Sequence, residues 1–183
     1  MASWEYQGKY LAQGTRLMRE YLLRLLQPGD ILVYSGEGIV SRLIKLKTYS
    51  EWTHVAVYIG NGMQREFVEG EGAQEVPFRP KHLGMIRRRT GIWERSKSDA
   101  FWQEVKDQGY DYIGILWSFF ARWQGRDNNK MFCSEYVVRD DRHSSAGPMF
   151  LVSDETDADG VSPADIVRSS ASKVVWMAKD GHR

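Results

Sequence analysis

The sequence predicts an α+β domain, and three observations predict it. An amphipathic helical run is followed at once by an apolar strand, several short strands cluster around an Asn-Gly turn, and the later segments alternate helix and strand with no internal repeat or low-complexity stretch. In "TRLMREYLLRLL", Leu17, Met18, Tyr21, Leu22, Leu25 and Leu26 recur at helical spacing, and the run stops at the turn signal "QPGD". "DILVYS" then reads as a strand. Gly36 and Gly38 permit a turn into "IVSRLIKLK", whose Ile39, Leu43, Ile44 and Leu46 suit a helix lying on a core.

"HVAVYIG" and "REFVEG" read as two strands joined through "NG", the strongest short hairpin signal, although Gly60 and Met63 allow a longer turn. "AQEVPF" and "GMIRRRTG" are further strands, the second with outward arginines. "SKSDAFWQEVKDQ" reads as a helix capped by Ser98 or Asp99, and "IGILWSFFARW" as a buried helix. The polar loop "QGRDNNK" then delivers "CSEYVVRDD". That segment is short enough for helix or strand, and helix is favoured because Cys133, Tyr136 and Val137 would share a face. "PMFLVS", an acidic loop "DETDADG", a helix start "SPADIVRS" and a final strand "KVVWMA" close the chain.

At 183 residues, 42% hydrophobic and 13% aromatic, residues 1–183 suit a single domain with a proper core, residues 1–27 forming an N-terminal helical extension. The formal charge of +1 supplies no global field for nucleic acid or an anionic membrane. A lone cysteine makes no intrachain disulfide, the first twenty residues lack an export signal, and no run of roughly 18 apolar residues occurs. The expected setting is therefore cytoplasmic without a transmembrane segment, a phage virion component being the alternative.

The only cysteine is where chemistry is expected. A thiol becomes a nucleophile at neutral pH when an imidazole, a helix N-terminus, or both lower its pKa. Cys133 follows a polar loop at a predicted helix start, where unpaired N–H groups favour a thiolate and can also bind an oxyanion. The bland alternative is a small buried hydrophobe. His54 opens a strand behind "SEWT", which places an imidazole at a strand end rather than in mid-core. His82, His143 and His182 lie in polar surroundings and show no metal-ligand spacing with His54, so neither a metal site nor a cofactor is expected. A third group should accept the imidazole N–H that faces away from the thiol. Glu66 and Glu69 compete for this role, and three residues apart on one strand they point to opposite faces, so at most one can serve.

The blocks "LQPGDILVYSG", "IVSRLIKLKTYSEWTHVAVYIGNG", "FVEGEGAQEVPF", "YDYIGILW", "FCSEYVV" and "SPADI" together resemble the circularly permuted NlpC/P60 cysteine hydrolases, the YiiX/YebB-like branch related to lecithin:retinol acyltransferase. In that branch the histidine strand precedes the cysteine helix, as His54 precedes Cys133 here. The resemblance implies a permuted papain-like fold, an antiparallel half-barrel sheet packed on the cysteine helix, with Cys133 as nucleophile and His54 as base. It gives the third role to Glu69, in "FVEG", with Glu66 as the fallback, and suggests that Trp52, Tyr112 and Trp117 shape the substrate cleft, although each also reads as a core aromatic.

The expected function is a thiol hydrolase, an amidase, peptidase or deacylase, or else an acyltransferase, working through an acyl-enzyme thioester. The substrates the resemblance suggests are peptidoglycan peptides or acylated lipids and proteins. The rival is a non-catalytic binding or structural protein that keeps the fold and a relic cysteine. "RRRTGIWERSK" is basic with one tryptophan, but alternate strand residues face opposite sides, so Arg87 and Arg89 are expected as a solvated stripe rather than a dedicated nucleic-acid site. The acidic "ETDADG" imitates half a calcium loop, yet the twelfth position from Glu155 is Ile166.

Overall fold

The computed structural model describes residues 15–68, 70–110, 130–145 and 161–178. Helix α1 spans 15–25, followed by β1 (Ile31–Tyr34), α2 (Ile39–Thr48), β2 (His54–Gly60), β3 (Met63–Val68), β4 (Gly72–Pro77), β5 (Leu83–Arg89) and α3 (Arg95–Val105). Then come β6 (Gly109–Tyr110), β7 (Lys130–Met131), α4 (Cys133–Ser144), α5 (Pro163–Arg168) and β8 (Ser172–Met177). Six strands make one sheet in the order β4-β3-β2-β1-β5-β8, every neighbouring pair antiparallel, while β6 and β7 pair in parallel. The α+β class expected from the sequence is therefore observed. The expected "IGILWSFFARW" helix and "PMFLVS" strand lie outside the described residues.

Helices cover both faces of the sheet. On one, Leu22 and Leu26 from α1 and the following turn meet Leu32, Tyr34, Ala56, Tyr58, Phe78 and Ile86. On the other, Ile31, Val33, Val55, Val57 and Phe67 meet Phe101, Trp102 and Val105 of α3 and Cys133, Tyr136 and Val137 of α4. The odd and even residues of β1 and β2 thus serve two separate cores, as strand alternation requires. Tyr136 is fully buried and stacks on Phe101, with ring centroids 6.3 Å apart and planes 7° from parallel.

The hairpin between β2 and β3 sets the register that matters. Asn61 (φ 54°) and Gly62 (φ 72°) form a two-residue turn with both φ positive, the backbone that Asn-Gly favours, and Gly60 faces Met63 across it. A bulge between Tyr58 and Gly60 then shifts the pairing by one residue, giving Tyr58 opposite Gln64 and Val57 opposite Arg65.

Two sequence expectations are corrected here. Helix α3 starts at Arg95 with Glu94 at its N-cap, not at Ser98 or Asp99; Ser98 is buried in the first turns and donates to Asp140 Oδ1. Arg87 and Arg89 of β5 are not a solvated stripe, because both are buried against partners from the segment at the start of β8 and from α4. Arg87 donates to the Ser172 hydroxyl at 2.7 Å and to the Ser169 and Ser172 carbonyls. Arg89 reaches Asp140 at 2.9 Å, Asp141 at 2.8 Å and the Gly29 carbonyl at 3.0 Å.

The Arg89 fork fastens α4 to β5, and Trp93 Nε1 adds a bond of 3.0 Å to Asp140. Both aspartates are almost wholly buried, so removing the guanidinium would leave two carboxylates in a low-dielectric core. Arg89→Met is expected to cost about 3–5 kcal/mol of unfolding free energy in urea titrations. A loss below about 1 kcal/mol would show that the fork does not hold the helix.

Candidate active site

Cys133 is the first residue of α4, delivered by β7 and capped through Phe132. The start of the helix is fixed from several sides. The Phe132 N–H donates to Glu135 Oε2 at 3.3 Å, and the Ser134 hydroxyl donates to the Val161 carbonyl at 2.7 Å, just ahead of α5. An acidic residue in the first turn is favourable against the helix dipole, and Glu135 is further paired with Arg139. The sulfur accepts hydrogen bonds from the backbone N–H groups of Ser134 and Val55.

The bond from Val55 follows from the way β2 and β3 pair. Their register runs from the turn to Val57 opposite Arg65 and goes no further, although continuing it would place Val55 opposite Phe67. Val55 therefore does not spend its N–H on that ladder, and the group serves the sulfur at the end of α4 instead. α4 packs on both of these strands.

His54, next to Val55, hydrogen-bonds to the Cys133 thiol group through its side chain, and its Nε2 lies 2.7 Å from Glu66 Oε2. With Nε2 committed to the carboxylate, Nδ1 is the nitrogen left for sulfur. By alternation His54, opposite Tyr34 in β1, belongs to the α1 face of the sheet, whereas Cys133 belongs to the α4 face. The imidazole can meet both because it is the first residue of its strand, where no preceding strand residue blocks the turn across the edge.

Glu66 lies on the same face as His54, in a ladder that puts Glu66 opposite Gln74 of β4. Its other oxygen, Oε1, accepts from Arg79 Nη2. Tyr34 flanks the imidazole with ring centroids 5.8 Å apart and donates its hydroxyl to Gln64 Oε1 at 2.9 Å. Burial, then the Glu66 carboxylate, pushes that phenol up, so it remains a neutral donor.

These contacts set the protonation pattern. Burial works against a charged His54, yet the Cys133 sulfur and the Glu66 carboxylate outweigh it and raise the imidazole to about 10. Burial likewise works against a thiolate, but the His54 charge and hydrogen bond, with the N–H groups of Val55 and Ser134, hold Cys133 below its ordinary value. Glu66 is held below the usual carboxylate range: burial opposes this, and His54 and then Arg79 overcome it. The two shifts run in the directions that favour an imidazolium beside a thiolate. The His54 side chain is 25% exposed and Cys133 is 3% exposed, so solvent meets the pair at the imidazole.

Of the residues singled out in the sequence, the structure brings together Cys133, His54 and Glu66. Glu69, the preferred third residue, lies outside the described residues, as do Tyr112 and Trp117. Trp52 is half-buried against the Cys133 core and packs against Gly84 of β5, where an added Cβ would come within 2.3 Å of its ring. Gln64, Tyr34 and Arg79 complete the site without having been anticipated. The two strand residues were detectable in principle by alternation from His54 once the register was known, whereas nothing in "PFRPK" marks Arg79.

No family model matches the chain. The chain is similar to the probable lipoprotein peptidase YaeF of Escherichia coli (strain K12), 29% identical over 119 residues, which is 62% of this chain and 42% of YaeF. It thus spans less than half the length of that relative. Its fold is similar to the crystal structure of the metalloprotein YiiX of Escherichia coli O157:H7, with a TM-score of 0.59 at 17% identity, covering 83% of this chain and 97% of that one. Among the described residues no group of three or more His, Cys, Asp and Glu side chains is arranged to hold a metal ion. Both oxygens of Glu66 are already taken, one of them by a guanidinium, so these residues do not fit a metal centre.

The paired shifts give a distinct pH dependence of stability. His54, raised in the fold, contributes fully below its unfolded value of about 6.5 and loses that contribution as pH climbs through about 10. Cys133, lowered in the fold, contributes above its unfolded value of about 8.5 and loses that contribution as pH falls through its folded value. Below about 8.5, down to the higher of about 6.5 and the folded value of Cys133, the two slopes cancel, and from about 8.5 to about 10 only the His54 contribution changes. Urea midpoints of the wild type relative to the His54→Ala/Cys133→Ala double variant should therefore be level just below about 8.5 and decline as pH climbs from there through about 10. A difference that does not vary with pH would mean that the pair is not ionised.

Proposed function

We propose that the chain is a cysteine hydrolase that cleaves amide bonds in peptides, with Cys133 as nucleophile, His54 as base and Glu66 as the carboxylate that orients His54. One observation carries the reading: a thiol at the N-terminus of a helix is hydrogen-bonded to an imidazole whose far nitrogen is bonded to a buried carboxylate. The similarity to a protein named as a probable peptidase supports the reaction class, and the fold shared with YiiX is compatible with it.

In the proposed cycle the Cys133 proton resides on His54 and the thiolate attacks the amide carbon, forming a C–S bond while the carbonyl electrons move to oxygen. The Cys133 backbone N–H, at the first helical position and so without an intrahelical acceptor, faces the developing oxyanion. Collapse breaks the C–N bond, and the His54 imidazolium gives its proton to the departing amine. Water, deprotonated by His54, then attacks the thioester carbon; the acid leaves and the proton returns to the Cys133–His54 pair. Glu66 stays ionised throughout, fixing the imidazole plane and balancing its charge.

A second reading, a non-catalytic protein with a relic thiol, is favoured by one observation, the 3% exposure of Cys133. Iodoacetamide labelling against pH separates the two. In the wild type, labelling is expected well below the free-thiol value of about 8.5, and His54→Ala should abolish that advantage. Hydrolysis of a peptide-amide library should fall by about 10⁴-fold or more in Cys133→Ala. Labelling with a midpoint between about 8 and 9 in both wild type and His54→Ala would sink the catalytic reading.

A further inference from the structure

We propose that Arg79 is a positioning residue for the Cys133–His54 pair, acting through Glu66 from the side of the sheet opposite the nucleophile. The inference rests on the cysteine-hydrolase reading and adds a fourth member to its site.

A carboxylate that orients a histidine must present one chosen oxygen in one plane. Glu66 has two equivalent oxygens, and only Oε2 is on His54. Arg79 Nη2 occupies Oε1, which fixes the carboxylate rotation and keeps the group ionised. The arginine is itself held by its main chain. Its N–H donates to Gln64 Oε1 at 3.3 Å and its carbonyl accepts from the Tyr34 hydroxyl at 3.2 Å. Gln64 and Tyr34 therefore fix the backbone of Arg79 on the same face that carries Glu66 and His54.

The Arg79 side chain is 54% exposed and Glu66 is 3% exposed, so the pair joins a solvated guanidinium to a buried carboxylate. Because the guanidinium is half in water and Glu66 keeps its bond to His54, the pair contributes less to stability than the fully buried Arg89 fork, and its main effect is on the orientation and charge of Glu66. Arg79 is also separated from the sulfur by Glu66 and His54 in turn, so it does not touch the reacting atoms. The titratable groups facing Glu66 among the described residues are His54 from β2, Arg79 from the turn after β4 and, more distantly, the Tyr34 phenol from β1; Cys133 of α4 lies beyond His54.

Removing Arg79 should let the carboxylate rotate and protonate more readily, weakening the bond that orients and charges His54. The measurement needs no substrate: iodoacetamide labelling of Cys133 from pH 5 to 10 in wild type, Arg79→Met, Arg79→Lys and His54→Ala, with thermal melts as a check on folding. In Arg79→Met the labelling midpoint should rise by about one unit, a roughly tenfold loss of rate on the acid side, with the melting temperature nearly unchanged. Arg79→Lys should recover part of the shift. If Arg79→Met fails to fold, Arg79→Lys decides the question: a wild-type profile in that folded variant, which keeps the charge but loses the planar fork, overturns the role.

A wild-type profile in Arg79→Met, alongside low-pH labelling that depends on His54, would overturn the Arg79 inference and leave the hydrolase reading standing. Labelling of the wild type only near the free-thiol value would overturn both.

Discussion

Cys133 and His54 come together because the strand that carries the imidazole also meets the sulfur. Val55 donates its backbone N–H to Sγ, and His54 is its immediate neighbour in the chain. α4 is docked on β2 and β3 through Cys133, Tyr136 and Val137, which leaves the side chain of His54 one residue's reach to cover. The Val55 N–H is available to the sulfur because β2 and β3 part beyond Val57 and Arg65, since a ladder continued to Phe67 would have used it. The Arg89 fork at the other end of α4 holds the remaining length of the helix, so the sulfur is located by a restraint at each end.

Much of this was legible in the sequence, for particular reasons. The β2–β3 hairpin follows from Asn61 and Gly62, α5 from Ser162 capping Pro163, and the start of α4 from a polar loop that ends in an apolar face with helical spacing. The order of His54 before Cys133 and the strand-end position of the imidazole were also readable. Alternation put Glu66 and Glu69 on opposite faces but could not say which of them shares the face of His54. An unbulged hairpin with Gly60 facing Met63 would carry Glu69 directly opposite His54 and turn Glu66 to the α4 face. The bulge between Tyr58 and Gly60 moves the register by one and brings Glu66 to the His54 face instead.

What the sequence hid was long-range. "RRR" in β5 has the pattern of a half-solvated strand, and only distant partners, Ser169 and Ser172 for Arg87 and Asp140 and Asp141 of α4 for Arg89, make the two arginines interior. Ser98 looks like a helix cap because serine favours that position, but its hydroxyl is drawn instead to the buried Asp140 carboxylate. In both cases local preference lost to a buried charge that had to be satisfied.

That same requirement bears on the proposed thiolate–imidazolium pair, whose sulfur is 3% exposed. A lone buried thiolate would be driven to its neutral form by the loss of water. Here the ionised groups run in a string of alternating sign, from the sulfur to the His54 imidazolium, the Glu66 carboxylate and the Arg79 guanidinium. Each interior member has an opposite charge in hydrogen-bond contact, and the four charges sum to zero. At the buried end the N–H groups of Ser134 and Val55 take the place of water around sulfur, and at the other end the guanidinium reaches solvent. The desolvation cost of the nucleophile is thereby spread along a neutral chain of contacts that terminates at the surface. A sulfur can be both buried and ionised in such a setting, and the proposed nucleophile is therefore compatible with its burial.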